Sequence, residues 1–373
     1  MMRVAFLLSL LVPLLFGCST AYKTPVFAAK DGGSTSFPGA AELLDAEHRL
    51  NVILVHGMCT HDEKWAQDTA TAFLRGMGQS DTQAGLAPVP VPGSAIQLFQ
   101  RTVPIGQRGE INLSAIVWSP ATAPLKQQLC YDQSERTQGA CAEPRYPYQR
   151  YRINRLIKDR LLDDCLADAV IYLGKSRGTI NGQMQAVIAK ALNVAPDANN
   201  LFIADSLGSK MVFDAIFKMA MNRTTAQEGQ RIFNNTAQIF MRANQIPILA
   251  LADTPSQQAR MFSCESDGYP ADPIGDLVRR QGCPGAERAR VRAPLVVAFS
   301  DPSDVLSYTL AGSPHARSQP YPVIDVIVSN APGYLGWLER PDHAHLHYDE
   351  NPEVNRLIGC GNRSPAYCRQ PAR

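Results

Sequence analysis

Hydrophobic positions along this chain alternate between continuous runs and helical spacings. "NVILVHG" (51–57) is a short apolar run closed by His-Gly, the pattern of a strand buried on both faces. Helical spacing follows from about Asp62 to Met77. Residues 79–110 are rich in Pro, Gly and Gln and predict loop, with a strand at "AIQLFQRTV". "INLSAIVWSP" (111–120) alternates and stops at Pro120, which predicts another strand. Residues 121–150 are polar, with two cysteines and three prolines, and predict a surface insertion. Apolar positions at Ile153, Leu156, Ile157, Leu161, Leu166, Ala169, Val170 and Leu173, then at Ile180, Met184, Val187, Ile188 and Leu192, predict a helical hairpin near 153–192. "LFIA" (201–204) has strand length, and Leu207, Met211, Val212, Ala215, Ile216 and Met219 mark a helix. "AQIFMRAN" (237–244), "PLVVAF" (294–299) and "YPVIDVIVS" (321–329) predict strands, while "IPILALAD" (246–253) fits strand or helix. The alternation predicts an α/β fold: a mostly parallel central sheet with helices on both faces.

The first residues follow a different rule. "MMR" is a short basic start, "VAFLLSLLVPLLFG" a short apolar stretch, and Cys18 follows at once. The run is too short for a comfortable membrane span and has the shape of a signal-peptide core. "LFGC" resembles the lipobox of bacterial lipoproteins, which implies a signal peptide at 1–17 and lipidation of Cys18, palmitate included. Ser19 after the cysteine resembles the sorting signal for the outer membrane of a Gram-negative cell. The other reading is an ordinary signal peptide with an incidental cysteine. Residues 18–49 are then a tether, and 50–373 the folded domain.

Composition narrows the functions. The chain is 45% hydrophobic and 19% charged, ordinary for a folded protein, and its net charge of +2, without a dense basic run, gives no reason to expect nucleic acid. Of nine cysteines, eight remain after Cys18, an even number that suits an oxidising compartment. Sequence-local pairs would be Cys130–Cys141, Cys264–Cys283 and Cys360–Cys368, leaving Cys59 and Cys165 over. No CxxC pair suggests a metal, so none is expected.

Two serines compete as nucleophile. "GKSRG" (174–178) fits G-x-S-x-G, whereas "ADSLG" (204–208) has Ala204 at the first glycine. A nucleophile elbow needs a strand feeding a tight turn into a helix. Ser176 joins one helix to another, with Gly174 at a C-cap; Ser206 has a strand behind it and a helix ahead. Ser206 is therefore the expected nucleophile. A serine needs a base, and the base an orienting acid, both at later strand ends. "SDPSD" offers Asp301 and Asp304, with Asp253 as an earlier candidate, and "DHAHLHYDENPEV" offers His343, His345 and His347.

With "VILVHG", "ADSLG", "SDPSD" and "AHLHY" in this order, most of residues 50–360 resembles the α/β-hydrolase superfamily. The resemblance implies a Ser206–Asp304–His345 triad, with Asp301 and His347 as runners-up, and an oxyanion hole from the backbone N–H groups of Met58 and Leu207. His56 is expected to pack and hold its loop rather than act as a base, and Asn351 to cap the last helix, leaving 343–348 as loop. The activity implied is a serine hydrolase cleaving a small-molecule or lipid carboxylic ester without a cofactor. Asp205, beside the elbow, would disfavour anionic substrates. An acyltransferase with the same triad, or a non-catalytic envelope protein using the fold as a binding scaffold, are the alternatives.

Overall fold

A strand buried on both faces needs neighbours on each side and helices above and below, and this chain supplies both. The computed structural model describes residues 19–20, 22–79, 83–133, 149–254, 262, 264, 268–283, 292–313, 319–334 and 339–363. Its strands are β1 (Ser19–Thr20), β2 (Val26–Ala29), β3 (Arg49–Val55), β4 (Ala87–Val89), β5 (Gln97–Pro104), β6 (Glu110–Val117), β7 (Asn199–Asp205), β8 (Thr236–Arg242), β9 (Leu295–Ser300), β10 (Val323–Ile327) and β11 (Gly333–Tyr334). Nine of them form one sheet in the order β2-β10-β9-β8-β7-β3-β6-β5-β4. The six from β10 to β6 run parallel; β2 and β5 are antiparallel to their neighbours, and β4 pairs antiparallel with β5.

The strand alternation divides the core into two. Ile53, Val55, Phe202 and Ala204 face one layer with Met184, Val187 and Ile188 of α6 (Arg177–Leu192) and Met211, Val212 and Ile216 of α7 (Leu207–Met221). Val52, Leu54, Leu201 and Ile203 face the other, with α1 (Ala40–Glu47), α2 (Glu63–Gly76) and α12 (Pro352–Cys360). Between these helices run α3 (Ser119–Lys126) and a helical stretch made of α4 (Arg152–Leu156), a π-helical segment Ile157–Leu166 and α5 (Ala167–Leu173). The remaining helices are α8 (Ala226–Asn235), α9 (Ile246–Leu249), α10 (Pro273–Arg280) and α11 (Pro341–Leu346). This is the α/β-hydrolase fold. Its first central strand, β3, sends the chain to β6 on one side and β7 stands on the other, and a ligand crevice belongs at the carboxyl ends of strands around such a switch point.

Two sequence expectations change here, and an open alternative is decided. The stretch taken as a tether contributes β2 to the sheet edge, and α1 with Phe37 to the core. Its polar stretches hid them, because the apolar positions are few and Phe37, Ala40, Ala41 and Leu44 are buried by chain that arrives much later. "IPILALAD" is helical, α9 followed by a 3-10 turn, as Pro247 near its start permits. Residues 343–346 belong to α11 instead of a loop, although Asn351 does cap α12, accepting from the Glu353 and Val354 N–H groups. Among the described residues no helix is long and apolar enough to cross a membrane. Residues 1–17 and Cys18 lie outside the described residues.

Candidate active site

β7 delivers the chain into Ser206, and α7 starts at the next residue. Ser206 has φ 49° and ψ −122°, a strained conformation for a residue with a Cβ, costing on the order of 1–3 kcal/mol. The surroundings hold it there. Its N–H donates to the Arg242 carbonyl at 2.8 Å, tying the turn to the end of β8. Gly208 and Gly57 supply the space: a Cβ on Gly208 would lie 2.3 Å from the His56 carbonyl oxygen, and one on Gly57 2.9 Å from the Ser206 Cβ. Ser206 is 2% exposed, and its buried Oγ has no hydrogen-bond partner among the described residues. No hydrogen bond therefore joins Ser206 to His345, and of the expected triad the structure joins only the acid and the histidine.

Ser176 sits otherwise. It is the helical-conformation cap of α6, between two helices, with no strand behind it. The residue that matters in "GKSRG" is Arg177, which is buried and pairs with Asp214 at 2.5 Å and Asp253 at 2.5 Å. Lys210 completes the cluster, 2.6 Å from Asp214 and 2.8 Å from Asp253. Asp253 is thereby committed to two cations. Breaking one partner out of such a buried set is costly, so the network fixes α6 against α7 directly under the elbow.

Asp304 and His345 meet. His345 Nδ1 donates to the Asp304 carboxylate, 2.8 Å from Oδ1 and 2.9 Å from Oδ2. The Tyr348 hydroxyl donates to Asp304 Oδ2 at 3.2 Å and accepts from the Asp301 N–H at 2.7 Å, so it ties the acid's loop to the histidine's segment. With Nδ1 engaged, Nε2 is the nitrogen left to exchange a proton. Burial pushes the carboxyl of Asp205, the residue before Ser206, up, against the pull of Arg242. Asp301 is turned elsewhere, accepting from the Ser303 N–H at 2.8 Å and the Asn330 N–H at 2.6 Å. His347 stacks on His343, ring centroids 4.2 Å apart, with its Nδ1 3.4 Å from Glu350.

Asp205 does not present the bare charge its sequence position suggests. It forms a two-point pair with Arg242, at 2.5 and 2.8 Å, with Arg242 buried and Asp205 partly so, which offsets the effect on anionic substrates expected from sequence.

The loop after β3 is built around His56. Its Nε2 accepts from the Trp118 N–H at 2.9 Å, which leaves Nδ1 to donate to the Gly57 carbonyl at 2.7 Å. Burial pushes its pKa far down, so the ring is neutral and structural, stacked on Trp118. Fixing the Gly57 carbonyl fixes the peptide plane that carries the Met58 N–H. Leu207, the first residue of α7, has no intrahelical acceptor for its own N–H. Beyond Met58 the loop is clamped. The Cys59 N–H donates to Asp168 at 2.9 Å, and the Thr60 N–H and hydroxyl donate to Asp164 at 3.1 and 2.5 Å. Lys126 bridges the same two carboxylates, at 2.7 and 3.1 Å. A disulfide joins Cys59, which has φ 77°, to Cys165.

That bond corrects the expectation that Cys59 and Cys165 are left over. They are 106 residues apart, and sequence-local pairing had no means of finding them except by elimination. Cys264–Cys283 is formed. Cys130 and Cys360 are also disulfide-bonded; Cys141 and Cys368 lie outside the described residues. The clamp carboxylates Asp164 and Asp168, their cation Lys126, and Tyr348 were missed as well. Only Tyr348 had a sequence signal, as the last residue of H-x-x-Y. Among the described residues no group of three His, Cys, Asp or Glu is arranged to hold a metal.

No protein-family profile matches this chain, and no curated protein matches it in sequence. Among solved structures it is similar to Est1E from Butyrivibrio proteoclasticus, determined with ferulic acid bound. That match has 11% sequence identity and a TM-score of 0.31 and covers 90% of this chain and 92% of that one. So loose a superposition says nothing about activity. The fold assignment rests on this chain's own strand order and elbow.

Proposed function

We propose that this protein is an envelope-anchored serine hydrolase that cleaves carboxylic esters through an acyl-enzyme on Ser206. The observation that carries the reading is the strained Ser206 turn, served at the same end of the sheet by a hydrogen-bonded Asp304–His345 pair. His345 Nε2 takes the hydroxyl proton as Ser206 Oγ attacks the ester carbonyl carbon. The carbonyl oxygen becomes an oxyanion that the Met58 and Leu207 N–H groups bind, at the positive end of α7. Collapse breaks the ester C–O bond, and the alcohol leaves with the proton from His345. Water, deprotonated by the same imidazole, attacks the acyl carbon. The carboxylic acid departs and the proton returns to Ser206. Asp304 keeps His345 in the tautomer that each step needs.

The reading is tested by labelling the protein with a fluorophosphonate probe beside Ser206→Ala and Ser176→Ala variants. Labelling is expected in the parent and in Ser176→Ala, and its loss in Ser206→Ala. Loss in Ser176→Ala alone would assign the nucleophile to "GKSRG". No labelling of the folded parent would leave the fold as a binding scaffold.

A further inference from the structure

Exposed apolar side chains are ordinary when scattered; their confinement to one end of a molecule is not. Among the described residues several exposed large apolar side chains lie on stretches held at the carboxyl ends of the parallel strands. Leu156, Leu161 and Leu166 project from the helical stretch that Cys165 bonds to the loop after β3. Leu251 follows β8. Val305 and Leu346 are the immediate neighbours of Asp304 and His345. Val194 stands at the opposite end, between α6 and the start of β7.

The amino-terminal chain reaches that same end. β1 pairs antiparallel with β11, Ser19 opposite Tyr334 and Thr20 opposite Gly333. β11 lies just beyond the carboxyl end of β10. Ser19, the residue after Cys18 in the sequence, is therefore at the rim that carries the apolar side chains and the site.

We propose that this carboxyl-end face is a membrane-docking surface. The anchored chain lies with Leu156, Leu161, Leu166, Leu251, Val305 and Leu346 against the lipid, and Ser206 on the lipid-facing side. The inference rests on the anchoring of Cys18 proposed above, because a short anchor on this rim leaves the face beside it no other surface at comparable local concentration. A lipid chain and an apolar face act as the two signals that stable membrane attachment requires. The substrate class narrows with it, to esters carried in the lipid surface.

The test places one added tryptophan at a time in the full chain, reconstituted into phospholipid vesicles with or without brominated acyl chains. Leu161→Trp and Leu251→Trp sample the rim, and Val194→Trp the far end. Brominated lipid is expected to quench the added emission at 161 and 251 at least twofold, and to leave that at 194 unchanged. Equal quenching at all three positions, or none in a chain that floats with the vesicles, overturns the docking and leaves the anchor and the hydrolase standing. A chain that does not float overturns docking and anchoring together. Unquenched rim tryptophans in a chain that sediments as a dimer assign the face to a second copy and overturn the proposal. Fluorophosphonate labelling is indifferent to all these outcomes, so failure of the hydrolase reading is seen separately.

Discussion

Asp301 and Asp304 stand three residues apart after β9, and their surroundings give them different chemistry. Asp304 faces an imidazole and a tyrosine hydroxyl, whereas Asp301 faces two backbone N–H groups and, among the described residues, pairs with no cation. Burial outweighs those two hydrogen bonds and pushes the Asp301 carboxyl up to about 6. An unfolded aspartate titrates near 3.9, so between about pH 4 and pH 6 the folded chain binds the extra proton. The contribution of this group to stability is therefore full below about pH 4 and is lost as pH rises through 6. Urea unfolding from pH 4 to pH 7 should show this fall, and Asp301→Asn should flatten it while keeping kcat within about tenfold. Asp304→Asn should keep the slope and lower kcat about 10³- to 10⁴-fold, the cost of presenting the wrong tautomer. An unchanged slope in Asp301→Asn would place the titration elsewhere.

At the scale of elements, the loop after β3 and the helical stretch 152–173 behave as one unit. A disulfide, two carboxylates and Lys126 join them, all within a few residues of the Met58 N–H. A backbone donor aimed at an oxyanion acts on the transition state more than on the bound ester, so loosening its loop should appear in kcat before KM. The double variant Cys59→Ser, Cys165→Ser is expected to lower kcat about 10- to 100-fold with KM nearly unchanged. Its stability loss should be about 3–5 kcal/mol, as for a cross-link closing a long loop. The Cys264→Ser, Cys283→Ser variant opens a separate loop, between cysteines 19 residues apart, and should leave kcat alone. Equal effects on kcat from the two double variants would mean that the Cys59 bond serves stability only.

Across the whole molecule, the amino-terminal stretch closes the fold. β2 covers the outer edge of β10, and Phe37, Ala40, Ala41 and Leu44 are fully buried against α12 and the far side of the sheet. The packing leaves no slack: a Cβ on Gly39 would stand 2.2 Å from the Gly361 nitrogen. Uncovering Phe37 and Leu44 alone forfeits about 3–6 kcal/mol of burial, most of a typical domain's stability. A chain starting at residue 49 is expected to aggregate or to melt more than 10 °C below one starting at Ser19, read by scanning calorimetry. Equal melting temperatures would return the stretch to the role of a tether.

Local pattern alone determined much of this protein. Continuous apolar runs bounded by turn residues marked β3, β7, β9 and β10, because a strand buried on both faces has no polar side to show. The 3.6-residue spacing marked α6 and α7, and the strand before Ser206 separated it from Ser176 despite the better letters of "GKSRG". That Ser206, Asp304 and His345 each stand beyond a strand of the sheet was legible for the same reason. What depended on residues brought together from far apart was not legible. That Asp304 and not Asp301 meets His345, that Arg242 answers Asp205, and that Cys59 finds Cys165 are choices among residues of equal local merit. Only the packing of the sheet and its helices sets those distances, and a contact energy that falls with distance in space is blind to distance along the chain.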